Sequence, residues 1–187
     1  MGGAAVRAAV APLPVLETAR LRLRGRTLDD LEDCFRMDRE PGTLDWVAWP
    51  RAAGSWDDEA AHRSLIRERT LASYPPGQGY WAVAERARPR AFLGWVLLIP
   101  EDAAGPEVEI GWRLLTAARG RGYATEAARA VLEHGLGRLA LPRVVADIRP
   151  ENAASLRVAE KIGMRRIGAA PGGAGLIRYE ARSAARQ

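Results

Sequence analysis

The 187-residue sequence has one cysteine, Cys34, two histidines, His62 and His134, and a single lysine, Lys161. A lone cysteine excludes an intramolecular disulfide framework, and two distant histidines supply no zinc-spaced cluster. No apolar run approaches the roughly 20 residues that cross a bilayer. The opening MGGAAVRAAVAPLP is too weakly hydrophobic for a signal peptide, and Val6 stands where a myristoylation signal wants Ser or Thr. These absences predict a cytoplasmic protein with no membrane partner and no metal, in which residues 1–14 form a disordered leader, 15–182 one domain and 183–187 a tail.

What is present is charge and a regular apolar pattern. The net charge of +5 suits an anionic partner: nucleic acid, acidic protein or a phosphorylated small molecule. The arginines, however, are interspersed with Asp and Glu along the whole chain, which argues against nucleic-acid binding as the main role. The length permits a substantial core in a single unit.

TARLRLRGR alternates Leu21 and Leu23 with arginines, the period of a half-buried strand. TLDDLEDCFRMDRE then takes helical spacing, with Leu28, Leu31, Cys34 and Phe35 on one stripe and Thr27 as N-cap. PGTLDWVAWPRAAG carries Trp46 and Trp49 in a weakly periodic stretch that fits either a loop over a pocket or a pair of core anchors. Trp81 joins them as a pocket candidate, whereas Trp95 reads as buried sheet. Ser55 and Asp58 have capping-box spacing at the start of a second helix, which stops at Pro75-Pro76-Gly77.

GYWAVAER and AFLGWVLLI read as strands joined by ARPR. In PEVEIGWRLL, Val108, Ile110, Trp112 and Leu114 face one way, and Glu107, Glu109 and Arg113 the other. A helix follows over Tyr123 to Arg138, then the strand PRVVADI, a helix capped by Asn152 and closed by Gly163, and two strands around PGGAG. Cys34, His62 and His134 read as packed or surface groups without chemistry. The order predicts one α+β domain with a mixed sheet.

The chemistry gathers at TAARGRGYATEA, where a strand ends in a glycine-rich turn that opens a helix. Such a turn offers free backbone N–H groups and the positive end of the helix dipole, and phosphate is its natural guest. Gly120 and Gly122 permit close approach, while Arg119 and Arg121 add charge. A P-loop would need Gly-Lys-Ser/Thr, and Lys161 is nowhere near a glycine loop. A dinucleotide fingerprint would need a third glycine where Thr125 stands, although Asp147 could mimic its ribose-binding acid.

EVEIGWRLLTAARGRGYATEAARAVLEHGL followed by RVVADIRPENAASLRVAEKIGMRRIG resembles the GNAT N-acetyltransferase family, in particular its ribosomal-protein-alanine acetyltransferase-like branch. The family's [QR]-x-x-G-x-[GA] motif is matched by Arg119, Gly122 and Ala124, and the likeness covers about Val15 to Ala181. It implies the GNAT fold, a splayed, mostly antiparallel mixed sheet of about seven strands flanked by about four helices. The anion becomes the pyrophosphate of acetyl-coenzyme A, cradled by Arg119, Gly120, Arg121, Gly122, Tyr123, Ala124 and Thr125. Pantetheine would lie along Trp112, Leu114 and Leu115, in a gap where their strand parts from the one over Val144 to Ile148.

The resemblance also assigns chemistry. Glu109 would deprotonate the acceptor amine, Asn152 would bond the pantetheine arm, and Ser155 would contact the cofactor or protonate the departing sulfur. Against these stand plainer readings: a solvated strand glutamate, a helix N-cap and a helix-start hydroxyl. Where many relatives carry a tyrosine acid, this chain has Ala159, leaving Ser155, Tyr179 or solvent. The implied reaction is direct acetyl transfer to a primary amine without metal, with a protein or peptide α-amine as the foremost acceptor. The branch also contains enzymes of small amines and antibiotics, and the other class is a non-catalytic acyl-coenzyme A sensor. A homodimer is common among relatives.

Overall fold

A computed structural model describes residues 12–43, 46, 58–101, 105–172 and 175–183. The leucine–arginine alternation produces β2 (Leu21–Gly25), which buries Leu21 and Leu23 completely and leaves its arginines half out. Ahead of it lies β1 (Leu16–Glu17), an eighth strand that the periodicity is too short to announce. Leu13 and Pro14 are also part of the packed structure rather than a disordered leader. Leu13 lies over Gly25 and Gly79, where no side chain competes for the space, and the Pro14 carbonyl accepts the Trp81 indole N–H at 2.9 Å.

Thr27 caps a single 3-10 turn, Leu28–Asp30, in a reciprocal box with Asp30, and α1 (Leu31–Asp38) continues from it. Next comes α2 (Glu59–Leu71), whose N-cap is Asp58 itself, accepting from the amides of Ala60 and Ala61. The predicted partner Ser55 lies outside the described residues, as does Trp49. Strands β3 (Gly79–Glu85) and β4 (Arg88–Pro100) meet in a two-residue turn at Arg86-Ala87, tighter than the four-residue ARPR connection. They are followed by β5 (Val108–Leu114), α3 (Tyr123–Glu133), β6 (Arg143–Ile148), α4 (Ala153–Lys161), β7 (Arg165–Ala169) and β8 (Ile177–Arg182). The expected helix over Tyr123 to Arg138 has its full length, but its last turn, His134–Arg138, widens to a π-helix closed by Leu139 N–H on His134 O.

The sheet order is β1-β2-β3-β4-β5-β6-β8-β7, antiparallel throughout except for β5 beside β6. Its main core fills the face under α3 and α4, where Trp81, Leu98, Ile110, Val131 and Val144 are fully buried. A smaller cluster of Cys34, Phe35 and Ile66 holds α1 and α2 on the other face. Burial pushes the Cys34 thiol up to about 12, so it packs as an apolar group. Trp81 belongs to the main core on the α3 side, with no exposure, and is removed from the pocket candidates. Half-buried Trp95 instead packs with the residues of the α1–α2 side.

Beta strands β5 and β6 share a single paired position, Glu109 with Val145. Beyond it the two diverge: β5 stays paired with β4 through Leu114, and β6 with β8 through Ile148. The sheet is therefore split into two halves from Glu109 onward. Both strands run toward the same end, so the turn into α3 and the turn into α4 stand on either side of the open gap.

Candidate active site

An open strand edge inside a domain leaves peptide groups to be satisfied. Leu115 donates its N–H to Leu93 O on the β4 side at 2.9 Å, which sets the phase of the ladder. Alternate residues Arg113 and Gly111 thus turn their peptide groups toward β4, and Trp112 and Leu114 turn theirs to the gap. Leu115, predicted among the pantetheine contacts, has its amide on the closed side. The Leu114 carbonyl is taken by Arg119 Nε at 3.0 Å, leaving the Leu114 N–H and both peptide groups of Trp112 along the edge.

The two helix starts at the mouth of the gap differ. Asn152 caps α4, its side-chain oxygen accepting the Ser155 N–H at 3.1 Å. The N-cap of α3 is Gly122, in the left-handed region at φ +78°, and no side chain caps it. The first amides of α3, on Tyr123, Ala124 and Thr125, have no carbonyl one turn earlier to bond, so they remain available to a ligand. Gly120 also has positive φ, and a Cβ on it would meet nothing within 4 Å. The α3 start is thus open and positive, and no side chain caps its first amides.

The arginines of this turn have structural partners. Arg119 reaches Leu114 O and Thr43 Oγ1, the latter at 3.1 Å. Arg121 lies over the Tyr123 ring, 4.7 Å from its centre, and 3.3 Å from Glu85. Five residues without a recognisable local signal hold the turn in place: Thr18, Arg20, Glu40, Glu85 and Glu126. Glu126 accepts Thr18 Oγ1 at 2.6 Å, Arg20 N at 2.9 Å and Arg20 Nε at 2.7 Å, and Arg20 Nη1 donates to Arg121 O at 3.0 Å. Burial would raise the Glu126 carboxyl, but the bonds from Thr18 and Arg20 outweigh it and hold the group below its ordinary range. Glu85 accepts the Tyr123 hydroxyl at 2.5 Å, and Glu40 accepts both the N–H and the hydroxyl of Thr116 at 2.7 and 2.8 Å.

Strand parity separates the two faces of β5. Val108, Ile110, Trp112 and Leu114 pack with the main core under α3. Glu109, Gly111 and Arg113 therefore face the α1–α2 side, opposite Ile99, Leu97 and Trp95 of β4. Glu109 thus sits half-buried where β5 and β6 part, at the inner end of the gap. Tyr179, the other acid candidate, gives its hydroxyl to Glu160 at 3.2 Å within the main core. Ser155 stands at the first turn of α4, partly buried, beside the mouth.

A model of the acetyltransferase (GNAT) domain matches residues 20–165. The chain belongs to the GNAT acetyltransferase family, whose co-substrate is acetyl-coenzyme A. Among solved structures, an acetyltransferase from Agrobacterium tumefaciens is 26% identical, with a TM-score of 0.69 over 97% of this chain and all of that one. The uncharacterized N-acetyltransferase YnaD of Bacillus subtilis is 50% identical over 60 residues, 32% of this chain and 35% of its own length. The FsC-acetyl coenzyme A-N(2)-transacetylase of Aspergillus fumigatus is 27% identical over 161 residues, 82% of this chain and 66% of its own. The chain thus spans about a third to two thirds of the length of these curated relatives.

For a GNAT chain, the residues present fit the co-substrate. Gly122 holds φ +78°, which a residue with a side chain rarely adopts, and the open amides of α3 suit a pyrophosphate. The unpaired edge at Trp112 and Leu114 suits an amide-bearing arm. No described helix is long and apolar enough to cross a membrane.

Proposed function

We propose that the protein is an acetyl-coenzyme A-dependent N-acetyltransferase of the ribosomal-protein-alanine acetyltransferase-like branch, acting on the α-amino group of a protein or peptide from within residues 15–182. The observation that carries this reading is the uncapped start of α3 at the mouth of the β5–β6 gap, with Glu109 at the gap's inner end. The α3 amides of Gly122 to Thr125 hold the pyrophosphate, and the open peptide groups of Trp112 and Leu114 bond the pantetheine arm. Asn152 orders the α4 start on the opposite wall.

An ammonium has no lone pair, so the acceptor must shed a proton before it attacks. Glu109 takes that proton, directly or through water. The amine nitrogen then forms its bond to the acetyl carbon as the carbon–sulfur bond breaks and sheds its second proton to solvent, while the thiolate takes a proton from solvent or from Ser155, which solvent reprotonates. Coenzyme A is a good enough leaving group that Ala159, in place of a tyrosine acid, does not block the step. No acetyl-enzyme is needed, and buried Cys34 is unsuited to forming one.

Thiol release from acetyl-coenzyme A, measured over a panel of peptides, small amines and aminoglycosides, tests the assignment. Turnover with peptides bearing a free α-amine, and none when that amine is blocked, is expected. Cofactor binding without turnover on any member would make the protein a sensor instead.

A further inference from the structure

Arg113, Thr116 and Arg119 run from the end of β5 to the glycines that open α3, and each is held by a side chain from residues 38–43, where α1 ends. Asp38 pairs with the Arg113 guanidinium, and its other oxygen meets His62 Nε2 at 3.0 Å. One oxygen of Glu40 accepts the Thr116 N–H at 2.7 Å and the Thr116 hydroxyl at 2.8 Å, and lies 3.9 Å from Arg119 Nη2. Buried Thr43 accepts that same Arg119 nitrogen on its hydroxyl at 3.1 Å.

The chain beyond α1 is itself fixed. The Glu40 N–H closes on Met37 O at 3.2 Å and the Thr43 N–H on Glu40 O at 3.1 Å, with Gly42 turning the backbone at φ +72°. Glu40 and Thr43 therefore reach out from a hydrogen-bonded turn. What they reach is the 3-10 turn Thr116–Ala118, whose N-cap, Leu115, has no side chain to cap it. The Thr116 N–H opens that turn and has no carbonyl one turn earlier, so Glu40 supplies its acceptor from across the molecule. Arg119, held on one edge by Thr43 and Glu40, presents Nε to Leu114 O at 3.0 Å. The same contacts thus set the end of the open strand edge and the entry to the α3 turn.

We propose that Glu40 is a positioning residue for acetyl-coenzyme A. It fixes the spacing between the open peptide groups of Trp112 and Leu114 and the bare amides of α3, so that both parts of the co-substrate meet partners already in place. The inference rests on the proposed placement of the co-substrate along the β5 edge and the α3 start. A turn ordered in advance costs less to bind, so releasing it weakens the co-substrate and leaves the chemical step at Glu109 alone.

Calorimetry with coenzyme A and steady-state kinetics on the full chain test this. Glu40→Ala removes both Thr116 bonds and should raise the coenzyme A Kd and the acetyl-coenzyme A KM about tenfold, with kcat within about twofold of wild type. Glu40→Gln keeps an oxygen able to accept both bonds, and its Kd should stay within about threefold of wild type. Glu32→Ala controls for mere loosening of the α1 layer: it breaks the 2.9 Å pair of α1 with Arg63 on α2 without touching the turn, and its Kd should match wild type. An unchanged Kd in Glu40→Ala, an equal rise in Glu32→Ala, or Glu40→Gln as weak as Glu40→Ala overturns the proposal. Binding lost in Gly122→Asp yet unchanged in Glu40→Ala sinks the role of Glu40 alone, whereas binding that survives Gly122→Asp sinks the placement beneath it. A tenfold weaker Kd in Glu40→Ala with no acetylation of any amine keeps the positioning role and sinks the transferase reading.

Discussion

At the scale of single residues, Glu109 and Ser155 sit close to the same gap but rest on different support. Glu109 occupies the one paired position between β5 and β6, and strand parity turns it toward the α1–α2 side, away from the main core. Glu109→Gln is expected to lower kcat about 100-fold or more near neutral pH, the usual scale for a positioned base. Calorimetry should find coenzyme A affinity within about twofold of wild type, since the base does not touch the pyrophosphate. The deficit should shrink as pH rises, because the neutral fraction of the amine grows about tenfold per pH unit below its pKa. A rate unchanged across pH would remove Glu109 from the mechanism. Ser155 has its amide used in the Asn152 cap.

At the scale of elements, the two helix starts differ in what they leave open to an anion. An asparagine satisfies one amide at α4; a glycine leaves those of α3 bare. Gly122→Asp is therefore expected to abolish coenzyme A binding in calorimetry while the melting temperature moves by only a few degrees. The new carboxylate caps the helix and offsets part of the roughly 1 kcal/mol that a Cβ costs at positive φ, but it stands where the pyrophosphate would lie. Retained binding would overturn the phosphate reading of this turn. The motif residues announced the turn, yet what holds it rigid came from elsewhere: Glu126 and Arg20 are 106 positions apart, and Thr116 and Glu40 are 76. Arg119 and Arg121, which composition suggests as anion ligands, serve as braces on Leu114 O, Thr43 and Glu85.

At the scale of the whole molecule, a sheet split after one shared ladder position needs other links between its halves. Two ion-pair chains cross the seam. Arg178 on β8 holds Asp147 on β6 at 2.6 Å and also pairs with Glu101 at the end of β4. Arg143 on β6 lies 3.3 Å from Glu107, just before β5, and 3.1 Å from Glu180 on β8. Arg182 and Arg165 bond Glu180 and, against its burial, lower its pKa to about 2 from 4.5. A depressed carboxylate contributes stability above its unfolded value and loses it as pH falls through the folded one. Wild type should thus melt above Glu180→Gln at pH 7, and the gap should close between about pH 4.5 and 2 in thermal unfolding followed by circular dichroism. A gap that stays constant to pH 2 would exclude Glu180 as a titrating strut.

The sequence by itself determined the order of the elements, the parity of Glu109 on β5 and the glycine turn that opens α3, because each is a local property: a repeat of two or 3.6 residues, or a backbone angle that only glycine takes easily. It missed β1, too short to show a period, and it set Trp81 at a pocket because a tryptophan's side of the sheet depends on which face the helices cover. Only the tertiary structure decided the partners of polar groups. Arg26, Asp38, Arg69 and Arg113 come from a loop, two helices and a strand, and meet because the path of the chain brings them under one roof. No repeat in the sequence encodes that meeting, since charge pairing is satisfied through space rather than along the chain.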